Sequence, residues 1–339
     1  MDAGENEDRV RLAQVCAAYG LGEVGEVRGL PIGAMNRNWR VETTTGAYAV
    51  KELQDPSAGD VHERHRTVKS LIDRGVPVPR PLERAGGDPT CTVDGARFTV
   101  SAWAPGEHLA GTAMSLGQAA ALGDLLGGIH VALSAVPWPH APEPGGAVAD
   151  AGRTLTCLDS LLATISRRPE RDEIDELAVR DLTWRRELLT APALLVPAGE
   201  EPGPRGGVHG DFHHNNVLWE RGRISAVLDW DRIGVRSPAA ELIRTCLLTF
   251  SGDGGLDLPR TAAFVRGYRQ RRPLTAGRLA DAEHRMWWSW LTGFWPLNRR
   301  YEDGVTAFDH FYVRNAATFR WWTGNRPAVV AALTGRDDG

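Results

Sequence analysis

A chain of 339 residues is long enough for one large domain or two modest ones, each with its own core. A hydrophobic share of 42% against a charged share of 24% excludes fibrous and disordered classes. The formal net charge of -4 excludes a bulk basic footprint for nucleic acid and suits neutral or cationic small substrates equally.

The four cysteines, Cys16, Cys91, Cys157 and Cys246, are scattered, so no paired-cysteine zinc or redox motif exists. Isolated thiols in a chain of this size predict a reducing cytoplasm. Residues Met1–Glu7 are acidic and polar, without the basic start and apolar stretch of a secretory signal. No apolar run approaches the roughly 18 residues of a membrane helix, so no membrane partner is expected. A monomer or homodimer suits such a chain.

Val10, Leu12, Val15, Cys16 and Tyr19 recur at helical spacing before Gly20. Strand-like runs follow over 38–42 and 48–53, joined by a turn containing Gly46. A helix fits 61–73, with Val61, Val68, Leu71 and Ile72 on one stripe and a stop at Gly75, Pro77 and Pro79. Two more strands fit 90–93 and 97–103 around the Asp94-Gly95 turn. Ala104-Pro105-Gly106 then marks a boundary, dividing the chain into lobes 1–103 and 104–339. The second lobe is mainly helical. Leu116, Ala120, Leu122, Leu126, Ile129 and Leu133 form one helix face, 154–189 is helical and heavily charged, and helices follow Ser237 almost to the end. The fold class is α+β: a small β-rich lobe, a larger helical one and a cleft between them.

The chemistry concentrates in His209-Gly210-Asp211-Phe212-His213-His214-Asn215-Asn216, followed by Asp229. Residues 217–219 and 224–228 are strand-like, with Arg221-Gly222-Arg223 as their turn. A hairpin symmetric about that turn sets Asn216 opposite Asp229, where Cβ atoms of facing residues lie about 4.5–5.5 Å apart. An amide oxygen and a carboxylate so placed can share a hard cation such as Mg²⁺, which draws its other ligands from phosphate. Asp211, five residues before Asn216, can accept the proton of an incoming hydroxyl. Phosphoryl transfer asks mainly for positioning and charge neutralisation, so this kit suffices.

These residues resemble the aminoglycoside phosphotransferase and choline kinase superfamily, small-molecule relatives of protein kinases. His209, Gly210, Asp211 and Asn216 have the spacing of the kinase catalytic loop. The resemblance implies a protein-kinase-like two-lobed fold with Asp211 as catalytic base and His209 positioning the loop. It makes Asn216 and Asp229 the metal ligands and ATP (or GTP) the phosphoryl donor. Lys51, closing Tyr48-Ala49-Val50-Lys51, matches the lysine that pairs the nucleotide phosphates. Glu63 on the following helix would hold that lysine. Residues 30–39 resemble the hairpin that covers the phosphates, so Gly33 and Asn36 would cradle them. Residues 99–103 resemble the inter-lobe hinge, so Ser101 and Trp103 would lie along the adenine edge.

Two other readings of the same residues stay open. His209, Asp211, His213 and His214 could be a hydrolase metal cluster, or the chain could be a silent nucleotide-binding pseudokinase. The complete set Lys51, Asp211, Asn216 and Asp229 weighs against the latter. The acceptor is expected to be a small-molecule hydroxyl, on an antibiotic in a resistance role or on an amino alcohol or sugar in metabolism. The acidic run Glu170, Asp172, Glu173, Asp175 and Glu176 could line a site for a cationic drug or be a solvated helix face. Surplus C-terminal aromatic rings could stack an acceptor, though most should pack helices.

Overall fold

A computed structural model describes residues 3–30, 36–53, 61–138, 148–199, 205–252 and 255–335. The chain divides into two compact units. The first comprises Met1–Leu109, Gly128–Pro139 and Gly207–Gly234; the second comprises Ala110–Gly127, His140–Gly206 and Val235–Gly339.

In the first unit, α1 (Ala3–Ala18) precedes β1 (Val24–Leu30), β2 (Arg37–Thr43) and β3 (Gly46–Leu53). Next come α2 (Val61–Asp73), β4 (Cys91–Val93) and β5 (Ala96–Ala102). The five strands form one antiparallel sheet ordered β1-β2-β3-β5-β4. Alternation along the strands turns Trp39, Val41, Val50, Phe98 and Val100 onto one face. There they pack with Leu12, Val15 and Cys16 of α1 into a buried core. Burial, with Cys91 close by, pushes the Cys16 thiol up to about 11, as befits a packing residue. The β1 strand is absent from the sequence reading, because Val24-Gly-Glu-Val-Arg-Gly-Leu30 carries two glycines and two charges and is mostly exposed.

A short strand β6 (Glu107–His108) pairs with a later hairpin strand, Trp219 facing Glu107 and Leu218 facing His108. The Val227 amide donates to the Pro77 carbonyl at 2.7 Å. These backbone bonds tie residues 207–234 to the N-terminal sheet unit. The lobes expected as two contiguous segments are therefore interleaved in these units.

The second unit is helical. Helix α3 (Leu116–Ser134) begins within it, followed by α4 (Ala151–Ser166) and α5 (Glu173–Thr190). The charged stretch 154–189 thus resolves into two helices, with Pro169 in the break between them. Then come β7 (Gly206–Val208), β8 (Val217–Glu220) and β9 (Arg223–Val227), all but the first residue of which lie in the first unit. The chain finishes with α6 (Pro238–Phe250), α7 (Leu258–Arg271), α8 (Ala276–Thr292), α9 (Trp295–Tyr301), α10 (Asp309–Gly324) and α11 (Arg326–Thr334). By length and composition α3 could cross a membrane, contrary to the sequence expectation, yet half of its apolar window is buried within the protein. Leu122, Leu126, Ile129 and Leu133 are fully buried, whereas Leu116 is exposed.

Helices α3 and α7 meet through glycines. A Cβ on Gly123 would lie 1.9 Å from the Phe264 carbonyl oxygen, and one on Gly267 would lie 2.0 Å from that of Ala120. Backbone, not a movable side chain, fills both spaces. Gly267→Ala should therefore destabilise the protein by about 1–3 kcal/mol or more in urea denaturation. An unchanged midpoint would contradict this close approach.

Candidate active site

The stretch from His209 to Asn216 is a loop held by its own side chains. His209 is fully buried. Its Nε2 donates to the Leu228 carbonyl at 2.9 Å and its Nδ1 accepts from the Asp211 amide at 3.2 Å. Trp230 packs on the imidazole with ring centroids 4.4 Å apart, and Phe212 meets it edge-on at 5.8 Å. Both ring nitrogens are thus engaged, and a metal-ligating histidine needs one free. This excludes His209 from the hydrolase cluster. Among the described residues no group of three or more His, Cys, Asp or Glu could hold a metal ion. Between His209 and Asp211 the backbone turns through Gly210 at φ 87°, a left-handed value that glycine adopts without strain.

Asp211 then leads to Asn216. The Asn216 Nδ2 donates to the Asp211 carbonyl at 2.8 Å and approaches His213 Nε2 at 3.4 Å. A carbonyl can only accept, so the amide nitrogen faces it and Oδ1 faces away. His213 Nε2 also lies 3.8 Å from Asp211 Oδ1.

The hairpin closes with Arg221 and Gly222 both at positive φ, the two-residue turn that suits strand twist. Val217 pairs with Val227 and Leu218 with Ala226, but Trp219 pairs with Ile224, so Ser225 is an extra, bulged residue. That bulge shifts the register by one. Asn216 stands opposite Leu228, whose amide donates to the Asn216 carbonyl at 2.8 Å, and not opposite Asp229 as expected: the two-residue turn alone would set Asn216 against Val227, and the bulge moves that by one, to Leu228. Asp229 is the next residue and leaves the ladder in a left-handed conformation, φ 59° and ψ 66°. That backbone is uncommon outside glycine, and such strain gathers at functional sites.

Lys51 projects from β3, where it pairs with Asn38 of β2 and Thr99 of β5. Its Nζ donates to Asp229 Oδ1 at 3.0 Å and to Asp231 Oδ2 at 2.9 Å. Burial opposes the charge on this amine, but Asp231, Asp229 and their hydrogen bonds overcome it and hold its pKa above the ordinary lysine value. Burial likewise opposes the Asp229 charge. The Lys51 ammonium, its hydrogen bond and His209 overcome that, holding the carboxyl below its ordinary range.

Glu63, expected to hold Lys51, is not its partner here; the ammonium's two ion pairs run to the segment after β9. Glu63 instead occupies the first turn of α2, where a carboxylate meets the positive helix end. Asn36 Nδ2 donates to Asp231 Oδ2 at 2.9 Å, joining the same cluster. Gly33 lies outside the described residues. Ser101 sits on β5 opposite Ala49 and bridges to Pro81. The Ala102 and Trp103 amides already donate to the Arg80 and Ala47 carbonyls, at 2.8 and 3.0 Å. Any ligand along this edge would meet their carbonyls, and the Trp103 ring is covered by the Arg40 guanidinium.

The acidic run serves the second unit itself. Asp172 caps α5 in a reciprocal capping box with Asp175. Arg300 pairs with Asp172 and Asp309, Arg168 binds Asp175 at 3.0 Å, and the Tyr301 hydroxyl donates to Asp175 at 2.7 Å. Trp287, Trp288, Phe294, Tyr312 and Trp322 are buried packing residues, while Trp295 is half exposed.

A model of the phosphotransferase enzyme family matches residues 26–274. The chain belongs to the phosphotransferase enzyme family. A homoserine kinase of Methylobacillus glycogenes is 24% identical over 281 residues, 82% of this chain and 79% of that protein. An aminoglycoside phosphotransferase from Alicyclobacillus acidocaldarius superposes with a TM-score of 0.63 over 94% of each chain, at 14% identity. A spectinomycin phosphotransferase solved with ADP and spectinomycin gives 0.62 over 96% of this chain and 97% of its own, also at 14%. The α+β, protein-kinase-like fold expected from the sequence is the fold of this phosphotransferase. It is an ATP-dependent enzyme that phosphorylates a hydroxyl of a small molecule.

A carboxyl held below its ordinary range stabilises the fold fully above its unfolded pKa, near 4, and the contribution vanishes as pH falls through the lowered value. The melting-temperature difference between the natural chain and Asp229→Asn should stay constant from pH 7 to about 5 and shrink below about pH 4. A difference that grows on acidification would contradict the Lys51–Asp229 pairing.

Proposed function

We propose that this phosphotransferase acts on a small hydroxyl-bearing metabolite of the homoserine type, with Asp211 accepting the hydroxyl proton. The observation that carries the chemistry is the Lys51 ammonium held against Asp229, one residue past the partner of Asn216. Lys51 would then pair the donor phosphates, with the Asn36 amide beside it. Asn216 Oδ1 and the Asp229 carboxylate fit a hard cation that fills its remaining positions with phosphate oxygens. Mg²⁺ bound there would neutralise phosphate charge.

Asp211 takes the proton as the acceptor oxygen forms its bond to the γ-phosphorus. The bond from that phosphorus to the bridging oxygen breaks, and ADP leaves with the electron pair. His209 fixes the loop that carries Asp211, through both of its ring nitrogens.

Two observations support the acceptor class. The matching homoserine kinases span most of this chain. The acids Asp172 and Asp175, which could have met a cationic drug, are spent on capping and on Arg168, Arg300 and Tyr301. Likeness to antibiotic phosphotransferases at 14% identity bears on the fold alone, so antibiotics form the competing arm. The free thiols of Cys16, Cys91, Cys157 and Cys246 suit a reducing cytoplasm.

ADP release measured with Mg-ATP across homoserine, other amino alcohols, aminoglycosides and spectinomycin should favour an amino alcohol in kcat/KM. Turnover confined to the antibiotics would overturn the acceptor assignment. Asp211→Asn should lower kcat by about 10²–10⁴-fold with Mg-ATP affinity within about twofold. Undiminished turnover in that variant would remove Asp211 from the chemistry.

A further inference from the structure

A nucleotide-pairing lysine needs a carboxylate that stays with it when the phosphates arrive. If Asp229 serves the cation that accompanies the phosphates, it cannot also be the sole anchor of Lys51. Helix α2 supplies no ion-pair partner for Lys51 among the described residues. Among the described residues the other acid that Lys51 meets is Asp231.

The surroundings of Asp231 suit an anchor. One oxygen, Oδ2, accepts from Lys51 Nζ and from Asn36 Nδ2, both at 2.9 Å. Its backbone carbonyl accepts from the Arg64 Nη1 of α2 at 3.2 Å. It sits in the short turn Trp230–Arg232. The preceding Trp230 is buried, donates its indole N–H to the Val227 carbonyl at 2.9 Å and packs on His209. Asp231 is thus pinned from below by the catalytic loop and from the side by α2. Its carboxylate reaches both the β3 lysine and Asn36, the residue just before β2.

We propose that Asp231 is the positioning residue for Lys51, taking the place of a helix acid, and that it ties Asn36 to the same oxygen. This rests on the reading of Lys51 as the phosphate-pairing group. Asp231 does not touch the reacting atoms; it sets where the ammonium stands and keeps it there while Asp229 is engaged. Asn36, sharing that oxygen, couples the start of β2 to the lysine.

A double-mutant cycle on Mg-ATP binding tests the inference, with Lys51→Met as the second background and thermal melts to check folding. Asp231→Asn should weaken Mg-ATP binding about tenfold when Lys51 is present and less than about twofold in Lys51→Met, because its effect passes through the ammonium. Asp231→Glu should recover most of the loss. Equal loss in both backgrounds, or no loss in either, would overturn the inference. So would coupling of Lys51 to Glu63→Gln with none to Asp231→Asn. The natural chain's own Mg-ATP binding separates the two levels. Its absence would tell against the proposed kinase chemistry, whereas binding without Lys51–Asp231 coupling would remove only the role of Asp231.

Discussion

A single ammonium between two carboxylates organises this site. Lys51 lies 178 and 180 residues from Asp229 and Asp231 in sequence, and nothing local brings them together. Two carboxylates so near each other repel, and burial penalises charge on Lys51 and Asp229. The cluster holds because each charge offsets the others and because rigid elements fix every member. Lys51 stands mid-sheet on β3; Asp229 and Asp231 follow a hairpin whose backbone is tied to Pro77 and to β6.

The loop proposed as catalytic depends on the same arrangement. His209 links the Asp211 amide to the Leu228 carbonyl, so the position of Asp211, the proposed proton acceptor, and the path into Asp229 are set by one imidazole. Trp230 and Phe212 pack on that ring and exclude water from it. A substitution at His209 would therefore disturb Asp211 and Asp229 together. The second unit contributes ionic networks of another kind: Arg300, Asp172, Asp175 and Tyr301 close helix ends on one another. Their charge is internal bookkeeping of the fold, and a count of acidic residues would have misjudged it.

Much of this was legible in the sequence where the signal is local. Strands β2 to β5, helix α2 and a turn around Gly222 follow from alternation and turn chemistry, though the turn is the two residues Arg221 and Gly222 and not Arg221–Arg223. The spacing of His209, Asp211, Asn216 and Asp229 was enough to suggest phosphoryl transfer. What escaped was non-local or irregular. The two-residue turn and the Ser225 bulge together set Asn216 opposite Leu228, one residue short of Asp229, and no pattern in Ile224–Val227 announces a bulge. β1 hid behind its glycines and charges, since its stability comes from pairing with β2. The partner of Lys51 could not be chosen by spacing, because Glu63 and Asp231 are equally acidic and only the folded chain shows which one the amine meets. The acidic run likewise showed its charge in the sequence and withheld its distant partners, Arg300 and Tyr301.

Lys51, Asp229 and Asn216 are proposed to surround the terminal phosphates of a nucleotide, with Asp211 beside them. A crystal structure with Mg²⁺ and a non-hydrolysable ATP analogue measures this most directly. The account predicts Lys51 Nζ within hydrogen-bond distance of the phosphates while still touching Asp231, with Asn216 Oδ1 and Asp229 on the cation. A nucleotide bound elsewhere, with Lys51 still paired to Asp229 and no phosphate within reach, would contradict it.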